Sequence, residues 1–288
     1  MSDTRSQAFD IYTGLLKAFP MPVSANNNIN FSYVYDHPKY EALKCKYPIE
    51  AIAGNGDDFS KAVNLLHWVS THNYHKGDYG ENIPQNALDL LNYSYDKDSS
   101  CGINCVGLAR ILSECLLAVG IQARQVFIMP CSPYDGDNHV VTNAFIKEAN
   151  KWVMLDPTLN TYVVNEQGEY LSLLELRDHL ANQEPIFFDK EAKYNDDAWT
   201  EESAKENTVY FAKNLFYFQT LEISTFGSDD SSDNRFITLC PQGYNPKQVR
   251  LSNIEFRVRK WGDNPNMQKW KEGAEKEEYH FCSSTDFE

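Results

Sequence analysis

Three features that define large classes of protein are missing from this sequence of 288 residues. No stretch approaches the roughly 18 consecutive apolar residues that a membrane-spanning helix requires. The N-terminal stretch MSDTRSQAFDIYTGLLKAFP lacks a basic segment followed by an apolar run and a small-residue cleavage site. Basic residues are outnumbered, with 26 Lys and Arg against 41 Asp and Glu and a formal net charge of −15. We therefore expect a cytoplasmic protein that binds neither nucleic acid nor membranes.

A regular cysteine framework and internal repeats are also missing. The seven cysteines are odd in number and unevenly spaced, which does not fit a disulfide-stabilised domain, so we expect reduced thiols. Hydrophobic residues make up 42% of the chain and aromatic residues 13%, enough to build a sizeable core. The sequence therefore favours one large folded unit, or a core with extensions, over a disordered chain.

The stretch SSCGINCVGLARILSECLLAVGIQARQV, residues 99–126, predicts a helix followed by a strand. Apolar residues at helical spacing run from about Cys105 to Val119, with Asn104 at the N-cap and Gly120 as the stop. The segments ARQVFIMP, HVVTNAFI and KWVMLDP then predict three strands, the last two joined by the tight connection KEAN. Cys105 is therefore expected in the first turn of a helix that precedes a group of strands.

Further elements are predicted on both sides of this region. Asp57 or Asp58 can cap a helix over FSKAVNLLHWVS, and Ser172 with Glu175 forms a capping-box pattern before a helix over LSLLELRDHL. After about residue 190, aromatic or alternating stretches predict strands. These stretches are NTVYFAKNLFYFQTLEIST, RFITLCP and NIEFRVRKW.

Cys105, His139 and Asp156 supply the residue types that nucleophilic catalysis by cysteine requires. The chemistry needs a thiolate, a base beside it and a group that orients the base. In the first turn of a helix, unpaired N–H groups and the helix dipole favour a thiolate and can also stabilise an oxyanion. His139 begins one predicted strand and Asp156 ends the next, so a hairpin could bring the two together.

The length of the connection between these strands decides whether the side chains of His139 and Asp156 meet. If Lys147 to Asn150 form a four-residue connection, Asp156 lies opposite Val141 and shares a face with His139, because strand side chains alternate. A three-residue connection without a bulge would place the two side chains on opposite faces. The triad is therefore a prediction that depends on the register of one hairpin.

These residues resemble the transglutaminase-like superfamily, whose members share the order Cys, His, Asp with papain-type enzymes. The family pattern is a helix that opens with Gly and Cys and closes on GIxAR, a strand that starts at His, and a strand that ends in WxxxDPT. Here it reads Gly102 and Cys105, GIQAR at 120–124, His139, and WVMLDPT at 152–158. The match covers roughly residues 60–160, and later stretches such as ITLCPQGY are similar to bacterial proteins with this domain.

Two departures from the family pattern stand out. Two residues rather than one separate Gly102 from Cys105, and Val140-Val141 follows His139 where the family usually has Ala-Trp. The second departure changes what lines the cleft beside the base. This departure leaves the three triad residues in place, but the identity of the substrate is not indicated.

The resemblance implies an α+β fold of the transglutaminase-like or cysteine-proteinase kind, in which the Cys105 helix packs on an antiparallel sheet. We expect an N-terminal segment over residues 1–50 that packs on the core, a catalytic core over 51–190 and a β-rich C-terminal extension over 191–288. The implied chemistry is acyl transfer on a peptide or protein amide, by hydrolysis in preference to transglutamination, with no cofactor and no metal. The alternative is a binding or scaffold module whose triad is idle, and the oligomeric state is open.

Other assignments for the cysteines compete with this one. Cys105 could be a small core hydrophobe, and Cys101 could be its redox partner. A metal site from Cys101, Cys105, Cys131 and His139 is a further alternative, although the CxxxC spacing differs from that of structural zinc sites.

A side-chain donor to the oxyanion is expected beside the backbone N–H of Cys105. Four residues are candidates. They are Gln85 and Asn86, amides that precede a predicted helix, the predicted cap Asn104, and His75, which comes just before the loop KGDYGENIP.

Overall fold

A computed structural model of the chain describes residues 2–24, 29–77, 84–227 and 234–288. The helices in these ranges are α1 Ser2–Ala18, α2 Pro38–Lys46, α3 Ile49–Ala53, α4 Asp58–His72, α5 Ala87–Ser94, α6 Cys105–Ala118, α7 Leu173–Ala181, α8 Glu201–Asn214, α9 Pro246–Trp261, α10 Pro265–Lys276 and α11 Ser284–Phe287. The strands are β1 Ser32–Tyr33, β2 Ala123–Met129, β3 His139–Ile146, β4 Lys151–Asp156, β5 Thr161–Val164, β6 Phe187–Phe188, β7 Lys193–Tyr194, β8 Asp197–Ala198, β9 Tyr217–Leu221, β10 Ile223–Ser224, β11 Phe236–Leu239 and β12 His280–Phe281.

Within these ranges, the central sheet has eight strands in the order β12-β11-β9-β2-β3-β4-β5-β6. Its pairings are antiparallel except for β11 with β12. Helix α6 packs on one face, where apolar side chains such as Leu112 and Leu116 meet Ala144 and Leu155 of the sheet. The predicted α+β class, with the Cys105 helix on an antiparallel sheet, is confirmed.

Helices α1, α7 and α8 cover the second core of the molecule. Leu16 of α1 and Phe211 of α8 are buried there with Val126, Val141 and Met154 of the central strands. The two cores follow from the sequence, because alternate residues of a strand point to opposite faces and both faces of β2, β3 and β4 are apolar.

The C-terminal segment differs from the β-rich extension that its sequence predicts. Strands β9 and β11 form where FQTLEIST and RFITLCP predict them, but NIEFRVRKW lies within helix α9, and NTVYFAKN lies within helix α8. The reason is the caps: Asn245 accepts a hydrogen bond from the Gln248 N–H with Pro246 at the first helical position, and Thr200 accepts one from the Ser203 N–H. These start signals override the alternation of apolar and charged residues.

The C-terminal strands also belong to the same sheet as the central ones. Strand β9 pairs with β2 over Phe127–Met129, so the segment after residue 190 continues the sheet that begins in the middle of the chain. The divisions at residues 50 and 190 stay a prediction. Among the described residues, no helix is both long enough and apolar enough to span a bilayer.

Candidate active site

Cys105 is the first residue of helix α6, as the sequence predicts. The side chain of Asn104 caps the helix by accepting a hydrogen bond from the Gly107 N–H at 3.0 Å. The cap leaves the N–H groups of Cys105 and Val106 without an acceptor inside the helix. Gly120, at φ +82°, follows the other end of the helix. The sulfur of Cys105 therefore lies at the positive end of the helix dipole.

The hairpin between β3 and β4 has the register on which the triad depends. Residues 147–149 form a short 3-10 turn, Asn150 adopts φ +49°, and Ile146 pairs with Lys151. The register continues to Thr142 with Leu155, which places Asp156 opposite Val141. The predicted four-residue connection is thus confirmed, and His139 and Asp156 share a face of the sheet.

His139 and Asp156 form a buried pair. The distance from His139 Nε2 to Asp156 Oδ2 is 2.7 Å, and their side chains are 5% and 0% exposed. The other carboxylate oxygen accepts the N–H groups of Thr158 at 2.9 Å and Leu159 at 3.3 Å. These bonds fix the carboxylate, and the carboxylate fixes the ring. Cys105 lines the same cavity as His139, and Nδ1 is the ring nitrogen that Asp156 does not use.

The electrostatics of this pair favour a thiolate and an imidazolium. Burial by itself raises the pKa of Cys105, but hydrogen bonds and charge from His139 and His75 outweigh it and lower the pKa to about 6. Burial by itself lowers the pKa of His139, but the charge and hydrogen bond of Asp156 and the contact with Cys105 raise it to about 10. At neutral pH both groups are therefore charged.

His75 is the second histidine at the sulfur. Its backbone pairs with Ile103, two residues before Cys105. Nδ1 of the ring lies 2.9 Å from the Tyr194 oxygen, and His75 lines the same cavity as Cys105. Of the four candidate donors, His75 is the one that contributes to lowering the pKa of Cys105, and its role as an oxyanion donor stays a prediction.

The other three candidates have different roles. Gln85 Oε1 accepts a hydrogen bond from Arg110 at 2.5 Å, and Asn86 caps α5 by accepting the Asp89 N–H at 2.9 Å. Neither residue lines the cavity at Cys105. Asn104 lines it, but its side-chain oxygen is engaged in capping α6. The assignment of Gln85 or Asn86 as the oxyanion donor therefore stays a prediction that the cavity lining does not support.

A cavity of about 600 Å³ lies in front of Cys105 and His139. Tyr210 of α8 stands edge-on to the His139 ring, with the ring centroids 5.6 Å apart. Three carboxylates line the cavity: Asp137, Asp197 and Glu206. Three aromatic side chains line it as well: Tyr194, Trp199 and Tyr210. Sequence reasoning missed these aromatic residues because they lie in the distant segment after residue 190.

The remaining cysteines lie in other surroundings. All seven thiols are free, and Cys101 is half-buried in a short 3-10 turn. Burial raises the pKa of Cys115, which lies on the same helix as Cys105. Within the described ranges, no three His, Cys, Asp or Glu side chains are grouped closely enough to hold a metal ion.

Residues 46–157 match the family model of the transglutaminase-like superfamily. The resemblance to that superfamily, which the motifs predict, is therefore confirmed over these residues. A comparison with curated protein sequences found no match. The match to this superfamily supports cysteine-based acyl transfer as the broad class of chemistry.

Two solved structures are also similar to the chain. A candidate cysteine protease from Cytophaga hutchinsonii aligns with 16% identity and a TM-score of 0.31 over 56% of this chain and 52% of the other. The chain thus matches about half the length of that protein. An arylamine N-acetyltransferase from Nocardia farcinica aligns with 10% identity and a TM-score of 0.32 over 86% of this chain and 100% of the other. Both TM-scores are below 0.5, so neither alignment bears on fold or activity.

Proposed function

We propose that this protein is a cysteine enzyme that transfers the acyl group of a peptide or protein amide, mainly to water. The observation that carries the proposal is the chain of contacts from the Cys105 sulfur through His139 to Asp156, with 2.7 Å between His139 Nε2 and Asp156 Oδ2. A thiolate, a base and an orienting carboxylate in this order are what acyl transfer requires.

The proposed reaction has two halves. The Cys105 thiolate attacks the amide carbonyl, a carbon–sulfur bond forms, and His139 gives its proton to the leaving amine as the carbon–nitrogen bond breaks. His139 then takes a proton from water, which attacks the thioester and releases the acid and the Cys105 sulfur. A primary amine in place of water would give transglutamination. Asp156 keeps the ring oriented and stabilises its positive charge throughout.

The first test is the pH profile of Cys105 alkylation by iodoacetamide, followed by mass spectrometry of the peptide that contains it. The expected midpoint is about pH 6, because His139 and His75 lower the pKa of Cys105 to that value. Cys131 is a matched internal control, since it is half-buried and burial raises its pKa. Its alkylation should rise only at alkaline pH.

The second test is turnover of a panel of peptides with and without added amines, with Cys105→Ala and Cys131→Ala as variants. Hydrolysis adds one water to the products, whereas transglutamination adds the amine, so product masses distinguish the two. Cys105→Ala should abolish turnover and Cys131→Ala should leave it unchanged. An alkylation midpoint near the value of an ordinary cysteine, about 8.5, together with no Cys105-dependent turnover, would reject the proposal in favour of an idle binding module.

A further inference from the structure

A second cavity, of about 470 Å³, adjoins the one in front of Cys105. Gly136, Asp137 and Asn138, the three residues before His139, line both cavities. The other walls of the second cavity come from strands β2, β9 and β11 and from helices α9 and α10. A peptide bound at Cys105 that continues past Gly136 therefore enters the second cavity.

Aromatic side chains form much of the wall of the second cavity. Phe127 of β2 and Phe236 of β11 pack edge-on, with their ring centroids 5.6 Å apart. Trp270 of α10 lines the same cavity and is 48% exposed, so its ring is open to a ligand. Such surfaces bind apolar groups, because contact removes apolar area of both partners from water.

The described residues contribute five charged side chains to the second cavity. Four of them form ion pairs: Asp135 and Asp137 with Lys213, at 3.0 and 3.2 Å, and Arg250 with Glu277, at 2.6 Å. The fifth is Arg257 of α9. In the parts of the chain that the structure describes, no carboxylate lies within ion-pair distance of its guanidinium.

The guanidinium of Arg257 is held at the junction of the two cavities. Nε donates to Asn253 Oδ1 at 2.8 Å, and Nη2 donates to the Gly136 carbonyl at 2.7 Å. These bonds use two of the five N–H groups of the side chain, which leaves three for another acceptor. A fixed guanidinium with unused donors is suited to bind a carboxylate.

We infer that the second cavity binds the part of the substrate beyond the reacting amide, with an apolar group against Trp270 and a carboxylate at Arg257. This inference rests on the proposed acyl transfer and names its substrate class, a peptide with a carboxylate near the reacting bond. Among the described residues, carboxylates but no Lys or Arg line the cavity at Cys105, so an anionic group fits the second cavity better. Helices α9 and α10 lie outside residues 46–157, so the site belongs to this chain rather than to the family pattern.

The test uses three libraries of eight-residue peptides that differ only at the C-terminus. The first ends in a free carboxylate and the second in an amide. The third ends in an amide with Glu fixed at the last position, which separates a side-chain carboxylate from a terminal one. Hydrolysis that depends on Cys105 is measured by mass spectrometry for wild type, Arg257→Met, Trp270→Ala and the control Arg259→Met. Arg259 is exposed on the same helix and lines neither cavity.

Wild type should hydrolyse the first or the third library about tenfold faster than the second, the effect of one hydrogen bond to a charged group. Arg257→Met should remove this preference and Arg259→Met should keep it. Trp270→Ala should slow all three libraries by the same factor, because it removes apolar contact and no charge.

Acylation by p-nitrophenyl acetate controls for effects on the catalytic residues themselves. The carbon–sulfur bond to Cys105 forms, the carbon–oxygen bond breaks and p-nitrophenolate leaves in a burst. This small ester has no group that extends into the second cavity. If Arg257→Met slows the ester and all libraries equally and keeps the preference, Arg257 only holds the loop at Gly136 and the inference is wrong.

Binding to Cys105→Ala separates this inference from the proposed function. Affinity selection from the same libraries should enrich carboxylate peptides about tenfold, and addition of Arg257→Met should abolish the enrichment. If this enrichment is found but wild type gives neither hydrolysis nor a burst, the proposed function fails and the binding site stands. Hydrolysis without any carboxylate preference, in turnover or in binding, would overturn the inference and leave the proposed function intact.

Discussion

The cleft around Cys105 and the far part of the sheet around Arg124 both contain buried charged groups, but with different partners. In the cleft, His139 and Cys105 can each lose or gain a proton, and their pKa values are about 10 and about 6. Arg124, 1% exposed, always keeps its charge. The first region can therefore change its charge during a reaction, whereas the second holds a fixed one.

The partners of Arg124 are aromatic faces and backbone oxygen. Its guanidinium carbon lies 4.3 to 4.5 Å from the ring centroids of Phe31, Trp152 and Phe287, and the group donates to the Phe287 carbonyl. Glu288 accepts the Ser172 hydroxyl at 2.5 Å. We call these residues the Arg124 cluster: Phe31, Arg124, Trp152, Ser172, Phe287 and Glu288. It anchors α11 against the sheet, so its charge serves stability.

A second contrast lies within helix α6. Cys105 and Cys115 are ten residues apart on one helix, yet the pKa of Cys105 is lowered and that of Cys115 is raised. Cys115 has only burial and the charge of Glu114 around it, both of which disfavour a thiolate. The two pKa values differ because Cys105 lies at the start of the helix and beside two imidazoles, whereas the thiol group is the same in both residues.

The largest expected effect is on the cleft, from Asp156→Asn. An amide keeps the shape of the side chain but cannot stabilise a charged His139, so acyl transfer should fall by about 10⁴-fold. The pH midpoint of Cys105 alkylation should rise, because the thiolate loses its charged partner. Rates are measured with the p-nitrophenyl acetate burst, and a urea titration checks folding. A loss of less than tenfold would contradict the assigned role.

The next effect is on the Arg124 cluster. Arg124→Met should lower the free energy of unfolding by about 3–5 kcal/mol, because three aromatic rings lose a buried cation and Glu288 loses the nearby positive charge. The alkylation midpoint of Cys105 should stay near pH 6. Arg235→Met is the control, since its ion pair with Glu222 is half-exposed, is screened by solvent and should contribute little to the free energy of unfolding. Equal losses in urea titrations of the two variants would remove the contrast between the regions.

The smallest effect is a pH dependence of stability in the same cluster. Burial raises the pKa of Glu288 to about 6, and the hydrogen bond from Ser172 and the charge of Arg124 only partly offset it. Because the folded value lies above the unfolded value of 4.5, the contribution of this group is fully present below about pH 4.5 and is lost as pH rises through about 6.

Glu288→Gln isolates this contribution. The wild type should lose about 1 kcal/mol more than the variant between pH 4.5 and pH 7, after allowance for partial exposure. Urea titrations at the two pH values measure it. Identical pH dependence in both proteins would show that the carboxyl group has the same pKa in the folded and unfolded chains.

Prediction from sequence succeeded where the signals are local. The start of α6 at Cys105, its cap at Asn104 and the capping box at Ser172 with Glu175 follow from residues within one turn. It failed for α9, where alternating Ile, Phe and Val residues suggested a strand. The Asn-Pro start at 245–246 was the contrary local signal. Aromatic and β-branched residues are compatible with a helix whenever caps and packing favour it.

The sequence by itself determined the identity and order of Cys105, His139 and Asp156, because a helix start and the two strands of one hairpin are short-range features. Only the tertiary structure decided what surrounds them. His75 lies at the cavity of Cys105, where Asn195, 120 residues away, holds its backbone and Tyr194 contacts its ring. Such contacts depend on how distant segments pack against one another, and no periodicity or spacing within a single segment records them.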